Sequence, residues 1–315
     1  MVLVPVVAIV GPTATGKTAL AIGLATRFDG EIVGADSRQV YRSMDIGTGK
    51  PDPKERARAP HHLIDVVEPD DEFNVAIYQR LASRAIAAIH RRGRLPLVVG
   101  GSGHYVRALL QGFRLPQVPP DHQLRRDLYA VAEEEGGIEW LFAQLTEADP
   151  VAATRIDPRN VRRVVRAIEV SRATGMPFSQ VATAAPPPYR TLVLGLTAHR
   201  REVYRRIDAR VDEMIEAGWV DEVRRLLGRG YSPDLPALSS LGYQAIVRHV
   251  RHEIDLEAAV EQIKRDTRRF ARRQYTWFRP NDLQIRWLDV TGDFRAQAEE
   301  LVRRFLDTPP AGEAR

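Results

Sequence analysis

Cysteine is absent from the 315 residues. That excludes disulfides, thiol nucleophiles and zinc centres built on thiolates, and it agrees with a reducing, cytoplasmic setting. Long apolar runs are missing too. Stretches such as Val2–Val10 and Leu95–Val99 fall far short of the ~18 residues that a membrane span needs. The N-terminal MVLVPVVAIVG has no basic leader and no small-residue cleavage site, so no secretory signal is expected. Lysine is scarce: Lys17, Lys50, Lys54 and Lys264 are the only four among 46 basic residues. The net charge of +5 suits a polyanionic partner, although an arginine excess also follows from nucleotide bias in a genome. Where the charge sits is therefore more informative than its sum.

What is present is ordinary for a globular chain, and its length corresponds to about two domains. Val2–Val10 is a Val-rich run stopped by Gly11-Pro12. It reads as a strand buried on both faces, as in a parallel sheet. The pattern continues with a helix over 18–28, a strand over 31–35 and a stretch over 42–72 that is mostly loop. A helix over 74–91 follows, with Asn74 as its cap, then a strand over 95–99 and a helix over 105–111. Alternating strands and helices predict an α/β fold with a parallel sheet.

From Gly112 to Pro188 no buried strand is evident. A Pro-rich stretch (115–120) opens this segment and Pro186-Pro187-Pro188 closes it. Helical patterns occupy 123–135, 138–147 and 160–174. The expectation is a helical insertion over 113–188 in a core formed by 1–112 and 189–315. That core resumes with a strand over 191–196 and helices over 200–217, 220–229, 242–250 and 256–277. A strand over 284–288 and a helix over 292–306 end it, and a disordered tail is expected from Thr308.

Gly11, Pro12, Thr13, Ala14, Thr15, Gly16, Lys17 and Thr18 fit G-x-x-x-x-G-K-[ST], with a strand before and a helix after. Glycines let the backbone wrap an anion, and successive N–H groups and the helix N-terminus point at phosphate oxygens. Lys17 adds a point charge and the Thr18 hydroxyl is a ligand for Mg²⁺. The motif specifies a diphosphate or triphosphate, without specifying ATP or a kinase. Among the core strands read from the sequence, only EIVGAD, ending at Asp36, finishes on an acid. Strand ends line the ligand crevice of an open parallel sheet, so Asp36 belongs beside the phosphate site, suited to act on an acceptor. The alternative is that Asp36 merely caps the next turn. Gly100-Gly101-Ser102-Gly103, read alone, is a strand-to-helix turn.

Two stripes of basic residues stand out. One helix carries Arg162, Arg163, Arg166 and Arg172, with Arg159, Arg162, Arg163 and Arg166 on one side. The other carries Lys264, Arg265, Arg268, Arg269, Arg272 and Arg273, opposed within the run only by Asp266. A charge run is usually a solvated face. With Tyr275, Trp277 and Phe278 alongside, phosphate contact plus base stacking is the better reading.

These residues together resemble the tRNA dimethylallyltransferases (tRNA isopentenyltransferases) from Gly11 to Arg279. The pieces are GPTATGKTAL (11–20), ADSRQVYRSMDIGTGKP (35–51), PHHLID (60–65) and VVGGSGHYVRALLQG (98–112). Further along come DPVAATRIDPRNVRRVVRAIEV (149–170), LSSLGYQA (238–245) and DTRRFARRQYTWFR (266–279). The resemblance implies a phosphate-loop NTPase-like core and transfer of a dimethylallyl group from dimethylallyl diphosphate to N6 of adenosine-37 in tRNA. It implies Asp36 as general base and Ser102 as the hydroxyl near the transferring group, at a position where Thr is commoner. Arg210 becomes a second diphosphate ligand, although by itself it reads as a solvated helix face. By the same resemblance Asp36, Ser37, Arg38, Gln39, Ser102, Arg125, Arg162, Arg163 and Arg166 contact tRNA. So do Ser239, Ser240, Leu241, Gly242, Tyr243 and Gln244, and Arg272, Arg273, Gln274, Tyr275, Thr276, Trp277, Phe278 and Arg279. Mg²⁺ is the expected cofactor, and a cytoplasmic monomer with no membrane partner the expected form. The rivals are a phosphate-loop small-molecule kinase, a prenyltransferase acting on free adenine nucleotide, and a non-catalytic RNA-binding protein. The first leaves the basic stripes unexplained, the second has less need of them, and the third leaves Lys17, Thr18 and Asp36 unexplained.

Overall fold

A computed structural model describes residues 3–308 apart from Leu115 and Gln117, so the expected tail beyond Thr308 lies outside the described residues. In chain order the elements begin with β1 (Val4–Val10), α1 (Lys17–Arg27), β2 (Gly30–Gly34), α2 (Pro53–Arg58), β3 (His61–His62), α3 (Val75–Arg91), β4 (Leu95–Val99) and α4 (Gly103–Leu110). They continue with β5 (Phe113–Arg114), α5 (His122–Glu133), α6 (Gly137–Ala148), α7 (Pro150–Ala153), α8 (Val161–Thr174), α9 (Phe178–Val181) and β6 (Thr183–Ala184). Last come β7 (Tyr189–Thr197), α10 (Arg200–Glu216), α11 (Trp219–Gly228), α12 (Tyr243–Val250), α13 (Leu256–Trp277), β8 (Ile285–Asp289) and α14 (Phe294–Asp307).

The main sheet has six strands in the order β3-β2-β4-β1-β7-β8, and every pairing in it is parallel. β1 lies inside the sheet, with Val6 through Val10 fully buried, which explains its unbroken apolar run. On one face Val7, Ile9 and Leu97 pack against Leu20 and Leu24 of α1 and Val302 of α14. On the other, Val6, Ala8 and Val98 pack against Tyr78, Ile86 and Ile89 of α3 and Leu109 of α4. A third cluster joins α10–α13 to Val40, Tyr41 and Met44.

The chain divides into two compact units, residues 1–110 with 188–315 and residues 111–187. The smaller unit has its own core of Leu128, Leu141, Leu145, Val164, Val165 and Ile168. An exposed two-stranded antiparallel ribbon, β5 with β6, accompanies its helices.

The stretch 42–72 holds more than loop. α2 starts at a capping box, in which Asp52 accepts from Glu55 N (2.7 Å) and Glu55 from Asp52 N (3.0 Å), with Pro53 following the cap. The D-P-x-E signal was present, in a helix too short to show an apolar period. Asp36 is also not the acid of a unique strand. β8 ends at Asp289, whose carboxylate accepts from Thr291 N (2.9 Å) and Thr291 Oγ1 (2.7 Å) and so closes its own turn.

Candidate active site

The site forms where β1, β4 and β2 end. α1 begins at Gly16 in the left-handed conformation (φ 84°), with no side chain capping its first turn. Its leading N–H groups therefore remain available to an anion. Ala14 is also left-handed (φ 63°), so the loop alternates backbone hand as an anion-binding nest does. A Cβ on Gly11 would overlap the Leu196 carbonyl of β7, so only glycine lets the loop leave the sheet there. Within the loop, Thr15 Oγ1 donates to Pro12 O (2.9 Å) and Lys17 Nζ to the same carbonyl (2.7 Å). Thr18, half-buried in the first turn of α1, takes no part in these bonds.

Burial and, after it, the positive charge of Arg210 lower the Lys17 pKa to about 7, against the opposing pull of the Asp36 carboxylate. Arg210, from the middle of α10, reaches the same place. Its guanidinium donates to Gly49 O (3.4 Å) and Thr13 Oγ1 (3.5 Å). A Cβ on Gly49 would occupy the position of Arg210 Nη2. Burial also lowers the Arg210 pKa, with Asp36 again the leading counter-charge. Lys17, Arg210 and Asp36 are thus brought together electrostatically from three distant segments. Two half-buried cations beside one carboxylate make a candidate site for an anion.

Asp36 caps a turn after all, since its Oδ1 accepts from Arg38 N (2.8 Å). Its second oxygen has no hydrogen-bond partner among the described residues and remains open to a ligand. Ser102 Oγ accepts from Ser37 N (3.0 Å), so the GGSG turn fixes the segment that carries Asp36. The two turns also meet through backbone, with Ala35 N bonded to Val99 O (2.7 Å) and Ser102 N to Ala35 O (3.2 Å).

The support beneath Arg210 comes from a residue outside the sequence motifs. Glu222 is buried, accepts from Asp45 N (2.7 Å), Ile46 N (2.7 Å), Gly47 N (3.2 Å) and Tyr243 OH (2.7 Å), and so shapes the loop that ends at Gly49. Trp219 wedges against Gly47 and Gly242, where no Cβ would fit. An acid on the apolar stripe of α11, among Trp219, Val223 and Leu226, was the signal in the sequence. Lys50, its side chain 1% exposed, joins Asp45 and Asp65 (2.7 and 2.6 Å). That pair links the GTGKP and PHHLID segments.

Several residues expected at an RNA surface belong to the interior instead. Tyr243, Ser240, Gln274 and Phe278 are buried. Tyr243 serves Glu222, and Ser240 Oγ donates to Ala237 O. Gln244 Nε2 donates to Pro233 O (2.6 Å), whereas Ser239 is exposed and its Oγ donates to Pro236 O (2.8 Å). Leu241 is half-buried, and Gly242 holds the left-handed bend before α12. Gln39 Nε2 donates to the carbonyls of Thr48 and Gly49 (3.2 and 3.0 Å), while Arg38 Nη1 donates to Pro236 O (2.7 Å). Tyr275 OH shares a hydrogen bond with Thr197 Oγ1 (2.9 Å).

The two basic stripes are likewise partly internal. In the smaller unit Arg125 holds the buried Glu169 by two bonds (2.8 Å each), and Arg166 pairs with the same carboxylate and with Val118 O (3.0 Å). Arg162 and Arg163 stay exposed. On α13, Lys264 pairs with Asp212 (2.7 Å) and Arg268 with Asp208 (2.9 Å). Acids on α10 therefore oppose this stripe, in addition to Asp266. Arg272, Arg273, Thr276, Trp277 and Arg279 remain exposed, with Trp277 stacked on His104 (5.8 Å between rings).

A parallel sheet, a phosphate loop and a convergent Lys–Arg–Asp group define a phosphate-loop α/β protein with an anion site beside a candidate base. Comparison with known proteins narrows this. The IPP transferase family profile matches residues 39–281, and that of isopentenyl transferase matches residues 4–64. A tRNA dimethylallyltransferase of Roseiflexus sp. (strain RS-1) is 52% identical over 307 residues, covering 97% of this chain and 100% of that protein. One from Thermomicrobium roseum is 52% identical, covering 96% of this chain and 92% of the relative. The crystal structure of the tRNA isopentenylpyrophosphate transferase of Bacillus halodurans superposes with a TM-score of 0.71 at 40% identity, covering 96% of each chain. A eukaryotic dimethylallyltransferase, solved in snapshots acting on tRNA, gives a TM-score of 0.80 at 27% identity, over 99% of this chain and 82% of that one. The chain belongs to the IPP transferase family. Among the described residues no helix is long and apolar enough to cross a membrane.

Proposed function

We propose that this enzyme transfers a dimethylallyl group from dimethylallyl diphosphate to N6 of adenosine-37 in tRNA. Family membership supports the reaction class. The observation that carries the reading is the convergence of Lys17, Arg210 and Asp36, which lets one charge act on the next. An allylic diphosphate ionises because its leaving group takes negative charge while the allyl cation is delocalised. The loop N–H groups, Lys17 and Arg210 stabilise that growing charge. Thr18, with a hydroxyl outside the loop's internal bonds, is the protein ligand suited to Mg²⁺. Among the described residues no group of three or more carboxylates or imidazoles is placed to hold a metal ion, so Mg²⁺ at Thr18 would take its remaining ligands from phosphate oxygens and water. Mg²⁺ supplies further charge neutralisation to the departing diphosphate.

Asp36 is the base. Its Oδ1 is held by Arg38 N, and the other oxygen takes the proton from the adenine amine as the C–N bond forms. Ser102 keeps that carboxylate in place through Ser37. The base reaches this depth by leaving its stack. Arg162 and Arg163, with Arg272, Arg273 and Arg279, supply phosphate contacts, and Trp277 a stacking surface. The reading sets the enzyme in the cytoplasm as a monomer. A transfer assay with labelled dimethylallyl diphosphate tests it, using tRNA, AMP or no acceptor. Label in tRNA alone is expected. Label in AMP, or steady ATP hydrolysis without transfer, would overturn it.

A further inference from the structure

Gln274 stands apart from its neighbours on α13. Arg272, Arg273 and Thr276 face solvent, whereas Gln274 is 4% exposed. Its side-chain amide touches two separate parts of the site. Oε1 accepts from Thr13 N in the phosphate loop (2.8 Å), and Nε2 donates to Gly101 O in the GGSG turn (3.0 Å). The orientation of the amide is dictated by its partners, because a backbone N–H only donates and a carbonyl only accepts. A Cβ on Gly101 would overlap Nε2, so the glycine is needed where the amide passes. The residue after Gly101 is Ser102, which holds the Asp36 turn through Ser37 N. One planar group therefore spans from the phosphate loop to the GGSG turn, whose Ser102 in turn holds the segment that carries Asp36.

We propose that Gln274 is a positioning residue that sets the distance between the diphosphate loop and the Asp36 turn, and that it does so without touching RNA. The proposal rests on the reaction proposed above and adds a residue to it. Only glutamine suits the position. Glutamate keeps the bond from Thr13 N, loses the donor to Gly101 O and brings a negative charge to a diphosphate site. Alanine leaves both backbone groups buried and unpaired.

The two roles separate kinetically. Misalignment of reacting groups lowers kcat, and a shift of about 1 Å costs on the order of 100-fold. Loss of an RNA contact instead raises the RNA KM and flattens its salt dependence.

The test compares Gln274→Ala, Gln274→Glu and Gly101→Ala with the wild type, each checked for a cooperative melt. Two readouts are used: prenyl transfer to tRNA, and the Kd of inorganic diphosphate by calorimetry. Gln274→Glu preserves the side-chain volume should Gln274→Ala fail to fold. The expected result is a fall in kcat of roughly 10- to 100-fold, an RNA KM within about twofold of wild type, and a diphosphate Kd weakened several-fold. Gly101→Ala should lower kcat in the Gln274 background and add nothing in Gln274→Ala, because both changes act on the same contact. A kcat within twofold of wild type, or a loss confined to RNA KM and salt slope, would overturn the proposal. Should the wild type transfer nothing to tRNA, the reaction assignment fails. The diphosphate Kd still decides Gln274, and an unchanged value refutes it.

Discussion

Lys17 offers the sharpest quantitative prediction. Its ammonium titrates near 7 instead of 10.5, because burial and Arg210 both disfavour the charged form. Free enzyme therefore loses the loop's point charge as pH rises through about 7. If the ammonium form alone binds a diphosphate, the apparent Kd scales with one plus the ratio of neutral to charged lysine. From pH 6 to pH 8 that factor rises about tenfold, with roughly another tenfold by pH 9. The diphosphate itself gains charge over the same range, which works in the opposite sense. Lys17→Arg stays charged throughout and isolates the lysine contribution. The measurement is Kd of dimethylallyl diphosphate, by calorimetry from pH 6 to pH 9, on both proteins. The ratio of wild-type to Lys17→Arg Kd should climb about tenfold per unit above pH 7. A flat ratio would refute the reasoning. The same shift makes folding more favourable as pH rises. The unfolded chain keeps the Lys17 proton up to about 10.5 and the folded chain releases it near 7. This group's contribution to stability therefore increases between those values and is constant below them.

Asp36→Asn retains an Oδ1 for Arg38 N, so the turn should survive while the base is lost. Single-turnover transfer with both substrates saturating should slow by about 10²–10⁴, and a near wild-type rate would return Asp36 to a turn residue. Arg162→Ala with Arg163→Ala should weaken tRNA binding and reduce its salt slope by about one per lost phosphate contact. An unchanged slope would make that helix a solvated face. Arg166→Ala should instead lower the melting temperature, because it strips a partner from the buried Glu169.

The helices and strands were legible wherever a single element presents its pattern. Leu95–Val99 and Leu256–Trp277 have the predicted bounds, since a fully buried strand and a long amphipathic helix both show their burial in residue order. Short elements escaped. α2 has no buried residue and so no apolar period, and β3 is only two residues long. The phosphate loop was readable because its chemistry lies in eight consecutive residues.

The sequence by itself determined the parallel α/β core, the anion loop, the helical character of residues 123–174 and the membership that the motifs imply. Each is encoded locally, in runs, periods or fixed spacings. Only the tertiary structure decided which polar residues face substrate and which face protein. Arg125, Arg268 and Lys264 look like free cations in the sequence, yet each meets an acid on another helix. Gln274 and Tyr243 sit in motifs that suggest contact with RNA, but they hold the phosphate loop and the Glu222 carboxylate. Arg210 gained its meaning from Thr13 and Gly49, which are far away along the chain. The physical reason is that burial and pairing depend on neighbours brought together by folding, and no local spacing records which neighbours those will be.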